Sequence, residues 1–487
     1  MSAVSYADVG GVNVSTWHYI DGARVPSPDS FPVLSPIDQR EIAQVASGTA
    51  AEVSLAVSAA EAAFDDWAAL GARGRAEYLY RLADLIDANV ESLAIVECED
   101  AGMMLRPLRA YVAAFGAVNF RAFADMALAQ TETGWSYNGS KVRVQRMPAG
   151  PVGIITSWNA PIVISTWKLA PALAAGCTVV LKPSEWAPLT CSMIADLAGE
   201  AGIPAGVLNV VQGLGREVGE ALAADERLTR LSFTGSSRTG RAVGQTAANN
   251  MVPCTIEAGG KSPLVVFADA DLDAAAKTAA FQYDDAGQMC IAGSRLLVEE
   301  SVAAEFLTLL GKHTDAHVVG NPRDPETTVP PLIHPDHLAR VSGFVERAVA
   351  QGDTLLRGGR SLGGLLYEPT LIKPRSNDAE IVQEEVFGPV LTIQTFSDED
   401  EAVRLANSTR YGLAGMVFTR SADRAERVGR AIRSGIVWVN AFNLRDASAP
   451  FGGRGMSGVG REGGQYALDF YSDLKALYIK EDTTYED

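Results

Sequence analysis

Val152-Gly153-Ile154-Ile155-Thr156 is a short apolar run, and Pro161 after it opens a helix-like segment that ends at Gly176. Thr178-Val179-Val180-Leu181-Lys182 then repeats the apolar run. Strands without polar alternation are covered on both faces, and a helix between two of them makes the crossover that parallel neighbours need. The rhythm continues outward. Helices are expected over 189–201, 216–224 and 239–249, with strands over 207–211, 230–233 and 254–257. A second series starts after Gly260. Its strands are expected over 264–267, 295–299, 390–396, 416–419 and 436–440, and its helices over 271–281, 303–310, 399–407 and 422–433. The fold class is α/β, with two doubly wound parallel-sheet domains and a cleft between them.

Upstream, residues 1–50 read as turns and short strands, because Pro26, Pro28, Pro32 and Pro36 exclude a long helix. Alanine-rich helical stripes follow over 50–70, 75–99 and 111–129. The run 142–146 alternates like an exposed strand, and 468–479 is apolar and strand-like.

The composition narrows the function. The chain has 487 residues, 47% hydrophobic and 21% charged, with a net charge of −18. A strongly acidic chain lacks the basic face that nucleic acid or an anionic membrane requires. No apolar run of the ~20 residues needed for a span is read, and residues 1–10 carry no leader pattern. Five widely spaced cysteines without CxxC fit a reduced, cytoplasmic setting and neither a disulfide framework nor a metal site.

Several stretches carry chemistry. Gly287-Gln288-Met289-Cys290 lies between a helix-like and a strand-like run, where a sulfur can face a cleft beside a backbone N–H. Most unpaired cysteines are instead buried and inert. Asn159, in Trp158-Asn159-Ala160-Pro161, offers a neutral amide to an oxyanion or simply caps the helix. Glu257, in Glu257-Ala258-Gly259-Gly260, is a general base if its surroundings are apolar and otherwise a surface carboxylate. Gly213 to Gly219 is a GxGxxxG turn after a strand, and Phe233-Thr234-Gly235-Ser236 is a second such turn. Backbone N–H groups at both can meet phosphates. Lys182 and Glu185 stand at a strand end, where a glutamate bonds ribose hydroxyls and repels a 2′-phosphate, favouring NAD over NADP. Glu385 and Phe387 suit a ribose and a ring face.

Seven of these stretches, in this order, resemble the NAD(P)-dependent aldehyde dehydrogenase superfamily: 157–161, 182–185, 233–236, 257–261, 287–290, 384–389 and 450–453. The resemblance implies a Rossmann-like NAD-binding domain over 1–130 and 149–258, a catalytic domain over 259–465, and a small β oligomerisation arm over 131–148 and 466–487. It implies Cys290 as nucleophile, Glu257 as base, Asn159 as oxyanion donor, and Lys168 and Glu462 as outer members of a proton path. Thr156, Ser157, Trp158, Lys182, Glu185, Gly215, Gly219, Phe233, Gly235, Ser236, Gly259, Glu385 and Phe387 resemble its cofactor contacts. Its members form dimers or tetramers, so a homodimer or homotetramer is expected.

Leu444-Arg445-Asp446, Arg461-Glu462-Gly463-Gly464 and Asp469-Phe470-Tyr471 look most like the muconic-semialdehyde branch. Arg121 then resembles a holder of the substrate carboxylate, while Ser448 stands where the branch has another arginine. Trp167, Ala160, Arg445 and Phe451 complete the expected substrate contacts. Ala160 replaces the usual aromatic after the oxyanion asparagine and opens space for a bulky aldehyde, and Gly455 stands where the family usually has lysine. The alternatives are a neutral, benzaldehyde-type substrate and a binding relative without turnover.

Overall fold

A computed structural model describes residues 5–481; residues 1–4 and 482–487, at the ends of the expected cofactor domain and arm, lie outside the described residues. Two large sheets dominate. The first has eight strands, in spatial order Gly458–Val459, Cys254–Glu257, Arg230–Thr234, Pro151–Ile155, Thr178–Lys182, Leu208–Val210, His18–Ile20 and Ala23–Val25. Its five central strands are parallel. The opening run Pro151–Ile155 is central and wholly buried, as an apolar strand without alternation must be.

The second sheet has seven strands, in the order Thr354–Arg357, Thr370–Lys373, Val390–Phe396, Arg295–Glu299, Pro263–Val266, Ala414–Phe418 and Ile436–Val439. All pair in parallel except the first, which is antiparallel at the edge. This is the expected α/β architecture, and it decides where chemistry can sit. The chain leaves the first sheet at the C-terminal end of Cys254–Glu257 and enters the second at the N-terminal end of Pro263–Val266. The crevice therefore lies beyond the carboxyl ends of the first sheet's strands, where open α/β sheets bind ligands.

Three further features differ from the expected layout. The strand anticipated over 468–479 begins only at Ser472, because Gly464–Phe470 is helical and buries Leu468 in the first core. Ser472–Lys480 then pairs antiparallel along all of Ser140–Pro148, with Thr133–Tyr137 outside, in a three-stranded sheet. The glycine-rich stretch, expected to stay with the second domain, sends Gly458–Val459 across to pair with Ile256 and Glu257. Finally, Leu105–Ala129 is one helical stretch of 25 residues, apolar enough by length and composition to cross a membrane, although no such run was read from the sequence. Its Val112, Ala117, Phe120 and Phe123 pack in the same core as Leu82, Ile86 and Ile162.

Candidate active site

Cys290 sits on an unusual backbone. After the helix Leu272–Ala280, Asp285, Ala286 and Gly287 take φ of 50°, 53° and 67° in succession. A non-glycine residue there costs of order 1–3 kcal/mol, and such strain gathers at functional sites. Gly287 is obligatory, since a Cβ would lie 2.3 Å from the Gly388 carbonyl oxygen. Gln288 pins the loop by accepting from the Ile333 N–H at 3.0 Å. The Cys290 thiol is half-buried; burial pushes its pKa up to about 11, while Arg445 pulls it down.

Asn159 comes to this loop from the first sheet. Its Nδ2 donates to the Gln288 carbonyl at 3.1 Å, and Ser157 Oγ donates to its Oδ1 at 2.8 Å. Asn159 is not the helix cap: Ala160 holds that position, without a side-chain bond, and Pro161 opens the helix. The buried Glu97 carboxylate instead accepts from the Ile162 N–H at 3.0 Å.

Glu257 ends a strand of the first sheet with only 5% of its surface exposed. Neither carboxylate oxygen has a hydrogen-bond partner among the described residues. Burial holds its pKa well above the usual carboxylate range; Glu462 raises it further, and Lys168 and Arg461 oppose the rise. The glycine-rich stretch wraps this group. A Cβ on Gly452 would lie 2.7 Å from Glu257 Oε1, and Phe451 and Glu462 exchange backbone hydrogen bonds of 2.7 Å. Lys168, buried on the helix Pro161–Ala175, pairs with Glu462 and donates to Ser232 Oγ at 2.8 Å.

The cofactor side is a cradle of small residues. Lys182 Nζ bonds Glu185 at 2.9 Å, and Gly215 N–H donates to the same carboxylate at 3.3 Å. Gly219 faces open space, with nothing within 4 Å of an added Cβ. Ser236 caps the helix Ser237–Asn249, and the buried Thr156 N–H donates to the Lys182 carbonyl. Phe233 does not face this cradle: its ring packs under Gly235 and Gly240, which a Cβ would bring within 2.6 and 2.8 Å of neighbouring side chains. Glu385 folds onto the Gly259-Gly260 turn, accepting from Gly260 N–H at 2.8 Å, and a Cβ on Gly259 would strike it at 1.9 Å. Burial lifts the Glu385 pKa to about 7. Trp158 meets Phe387 edge-on at 5.4 Å, and Phe387, at φ 61°, is held by His337 Nε2 at 2.7 Å from its carbonyl. These glycines, the ribose-type lysine and carboxylate, and the two helix N-termini fit a dinucleotide.

On the substrate side, Trp167 contacts Phe451 edge-on at 6.5 Å, and Ala160 packs in the same neighbourhood. Arg445 stacks on Phe451 at 4.6 Å, with Cys290, Glu257 and Tyr111 as its electrostatic neighbours. Arg121 is placed elsewhere. It forms ion pairs of 2.7 Å with Asp84 and Asp87, because its position on the helix Val118–Ala129 faces Gly71–Ala88 rather than the cleft. Residues not anticipated line a cavity of about 290 Å³: Met104, Tyr111, Phe115, Phe281, Asp284 and Asp285 among them. Tyr111 and Phe115 stack at 5.7 Å across a π-helical turn, which no residue pattern announces. Asp284-Asp285 lies one residue before Gly287 and could have been flagged by that proximity. His337 and His334, which no sequence motif singled out, flank Trp158 and Trp186 at the cofactor side.

Residues 24–477 match the aldehyde dehydrogenase family. The betaine aldehyde dehydrogenase of Bacillus subtilis (strain 168) is 41% identical over 461 residues, covering 92% of this chain and 93% of that one. The 2-hydroxymuconic semialdehyde dehydrogenase of Pseudomonas sp. (strain CF600) is 38% identical over 481 residues, covering 95% and 99%. Among solved structures, the betaine aldehyde dehydrogenase of Staphylococcus aureus in complex with NAD+ superposes with a TM-score of 0.94 at 36% identity, covering 97% of this chain and 96% of that one. Sequence, fold and cradle agree, and the chain belongs to the aldehyde dehydrogenase family as an NAD-dependent oxidoreductase.

Proposed function

We propose that the protein oxidises an aldehyde to a carboxylic acid through a covalent thioester on Cys290. The observation that carries this reading is the convergence of Cys290, Asn159 and Glu257 from two sheets onto one crevice. With its pKa near 11, the thiol needs a proton acceptor at neutral pH. Glu257, with a raised pKa and two unpartnered oxygens, is that acceptor. The sulfur bonds to the aldehyde carbon. Asn159 Nδ2 and the Cys290 N–H hold the oxygen as its charge develops. NAD, when bound, supplies the acceptor for the hydride leaving that carbon; Lys182, Glu185 and Gly215 hold its adenosine half and Glu385 and Phe387 its nicotinamide half. Glu257 gives the thiol's proton up to solvent and then takes one from water; the hydroxide adds to the thioester, the carbon–sulfur bond breaks to free the acid, and the proton on Glu257 restores the thiol. A relative transferring the acyl group to coenzyme A has no use for that base, so its presence favours hydrolysis.

The substrate reading rests on Arg445. Its guanidinium has no ion pair or hydrogen bond among the described residues, yet it stacks on Phe451 beside the nucleophile. A free cation there suits a semialdehyde whose far end is a carboxylate, the chemistry of the muconic branch. The aromatic pair Trp167 and Phe451, with Tyr111 also near Arg445, favours a neutral aromatic aldehyde as the second reading. Comparing Arg445→Met with Arg121→Met on an acidic semialdehyde and on benzaldehyde separates them. The first reading expects Arg445→Met alone to lose the acidic substrate selectively; equal losses on both aldehydes refute it. We also infer a reduced, cytoplasmic setting and assembly through the three-stranded sheet, whose Trp135, Tyr137, Leu474 and Tyr478 are exposed.

A further inference from the structure

The pair Lys168–Glu462 is embedded in a hydroxyl network that the reaction above leaves unused. Ser232 Oγ is its hub. It accepts from Lys168 Nζ at 2.8 Å and from Thr255 Oγ1 at 2.9 Å, and it donates to Glu462 Oε1 at 3.1 Å. Register explains the convergence. Ser232 pairs with Thr255 across neighbouring parallel strands, and Thr234 pairs with Glu257. Alternate residues of a strand share a face, so Ser232, Thr255 and Glu257 all point to the side covered by Lys168. Tyr471 closes the network from the end of the helix Gly464–Phe470: its buried phenol faces both Ser232 and Glu462.

A serine hydroxyl has one proton to give and two lone pairs. Three bonds already saturate Ser232, and the Tyr471 phenol faces it as well, so these hydroxyls can rearrange their protons. A buried ion pair that only needed solvation is satisfied by fixed partners. A chain of rotatable hydroxyls does more, because it can readjust as the charge on Glu257 changes. The root of the three-stranded sheet is tied to the same place. Tyr471 carbonyl accepts from Ala149 N–H at 3.1 Å, and Arg230 donates to the carbonyls of Phe470 and Ser472 at 2.6 and 3.1 Å.

We propose that Ser232 and Tyr471 are positioning residues for the hydrolytic half-reaction, holding Lys168 and Glu462 so that Glu257 can take the proton of the attacking water. The inference rests on Glu257 being the base. Burial and Glu462 raise the proton affinity of Glu257, and Lys168 lowers it. Losing the Ser232 hydroxyl loosens both charges where they face Glu257, and so changes its basicity.

The test isolates hydrolysis. p-Nitrophenyl acetate acylates Cys290 by attack of the sulfur on the ester carbon with loss of p-nitrophenolate, and no hydride moves. Decay of the acetyl-enzyme is followed by intact mass across pH in the wild type, Ser232→Ala, Ser232→Thr, Tyr471→Phe and Glu257→Gln. Ser232→Ala and Tyr471→Phe are expected to slow the decay by about tenfold to a hundredfold and to shift its pH limb. Ser232→Thr, which keeps the hydroxyl, is expected to restore both. Acylation, compared above pH 9 where the thiol ionises more readily without Glu257, stays as in the wild type in Ser232→Ala and Tyr471→Phe. A stalled Glu257→Gln beside an unshifted pH limb in Ser232→Ala and Tyr471→Phe overturns this inference alone. A Glu257→Gln enzyme that deacylates normally overturns both it and the reading of the base.

Discussion

Asn159 Nδ2 lies 3.1 Å from the Gln288 carbonyl oxygen, a hydrogen bond that joins the end of the central strand Pro151–Ile155 of one sheet to the nucleophile loop of the other. The amide that would stabilise an oxyanion is thus held against the loop bearing Cys290 rather than spent on a helix cap. Removing one such donor typically slows an acyl transfer by ~10²–10³-fold. Asn159→Ala is accordingly expected to lower kcat/KM by at least ~10²-fold while leaving the NAD dissociation constant within twofold of the wild type. Steady-state kinetics and fluorescence titration with NAD check the two halves.

The thiol makes a pH prediction. Burial raises the Cys290 pKa to about 11, so the protonated form dominates at neutral pH and thiolate appears only as the pH climbs. In the enzyme without NAD, alkylation by iodoacetamide should quicken by about tenfold per pH unit from 7 to 10, without a plateau below pH 10. Arg445 is the cation that pulls this pKa down, so Arg445→Met should move the midpoint higher still. A plateau near pH 8 in the wild type would show that the thiol is already activated.

Glu185 tests cofactor choice. Its carboxylate is fixed by Lys182 and Gly215 N–H where a ribose edge would lie. Glu185→Gln keeps the shape and removes the charge that repels a 2′-phosphate. The ratio of kcat/KM for NAD over NADP should fall by about tenfold, equivalent to ~1.4 kcal/mol. An unchanged ratio would place the discrimination elsewhere.

Ala160 and Phe451 are both half-buried against the first core, and the small side chain at 160 is expected to admit a bulky aldehyde. Ala160→Phe should therefore cut kcat/KM for an aromatic aldehyde far more than for acetaldehyde. Competition assays with the two aldehydes give the ratio directly, and an unchanged ratio would remove Ala160 from the substrate's path.

Much of this was legible in the chain. The buried strands announced themselves by apolar runs without alternation, and the crevice followed from where those strands end. Cys290 and Glu257 were legible because each stands near glycines at the end of an element, and Asn159 because it lies between a strand and the proline that opens a helix. What escaped was geometry that no local pattern encodes. Arg121 looked available to a substrate because its charge is visible in sequence, but Asp84 and Asp87, a helix away, claim it. Phe233 looked like a cofactor contact, yet its ring is the floor beneath Gly235. The left-handed Asp285 and Ala286 give no residue-type signal, since only Gly287 is a residue that favours such φ. Ser232 was hidden inside an ordinary strand, where its meaning depends on Lys168, Glu462 and Thr255 arriving from three distant segments.

Gly458 joins stability to chemistry. A Cβ there would lie 2.0 Å from the Ile256 carbonyl oxygen, at φ 142°. Gly458→Ala should cost upwards of ~1–3 kcal/mol from the backbone alone and should push the Cys254–Glu257 strand away from its neighbour. Thermal denaturation is expected to show a lower Tm, and kcat should fall with it because Glu257 rides on that strand.

The central claim is that Cys290 carries the substrate as a thioester which Glu257 releases. The direct measurement is rapid mixing of Glu257→Gln with NAD and aldehyde at a pH above 9, where the thiol ionises more readily, followed by intact mass. The account predicts one NADH per active site, then a stall, with an acyl group of the aldehyde's mass on Cys290. Continued turnover of Glu257→Gln at the wild-type rate, or a burst with no adduct on Cys290, would contradict it.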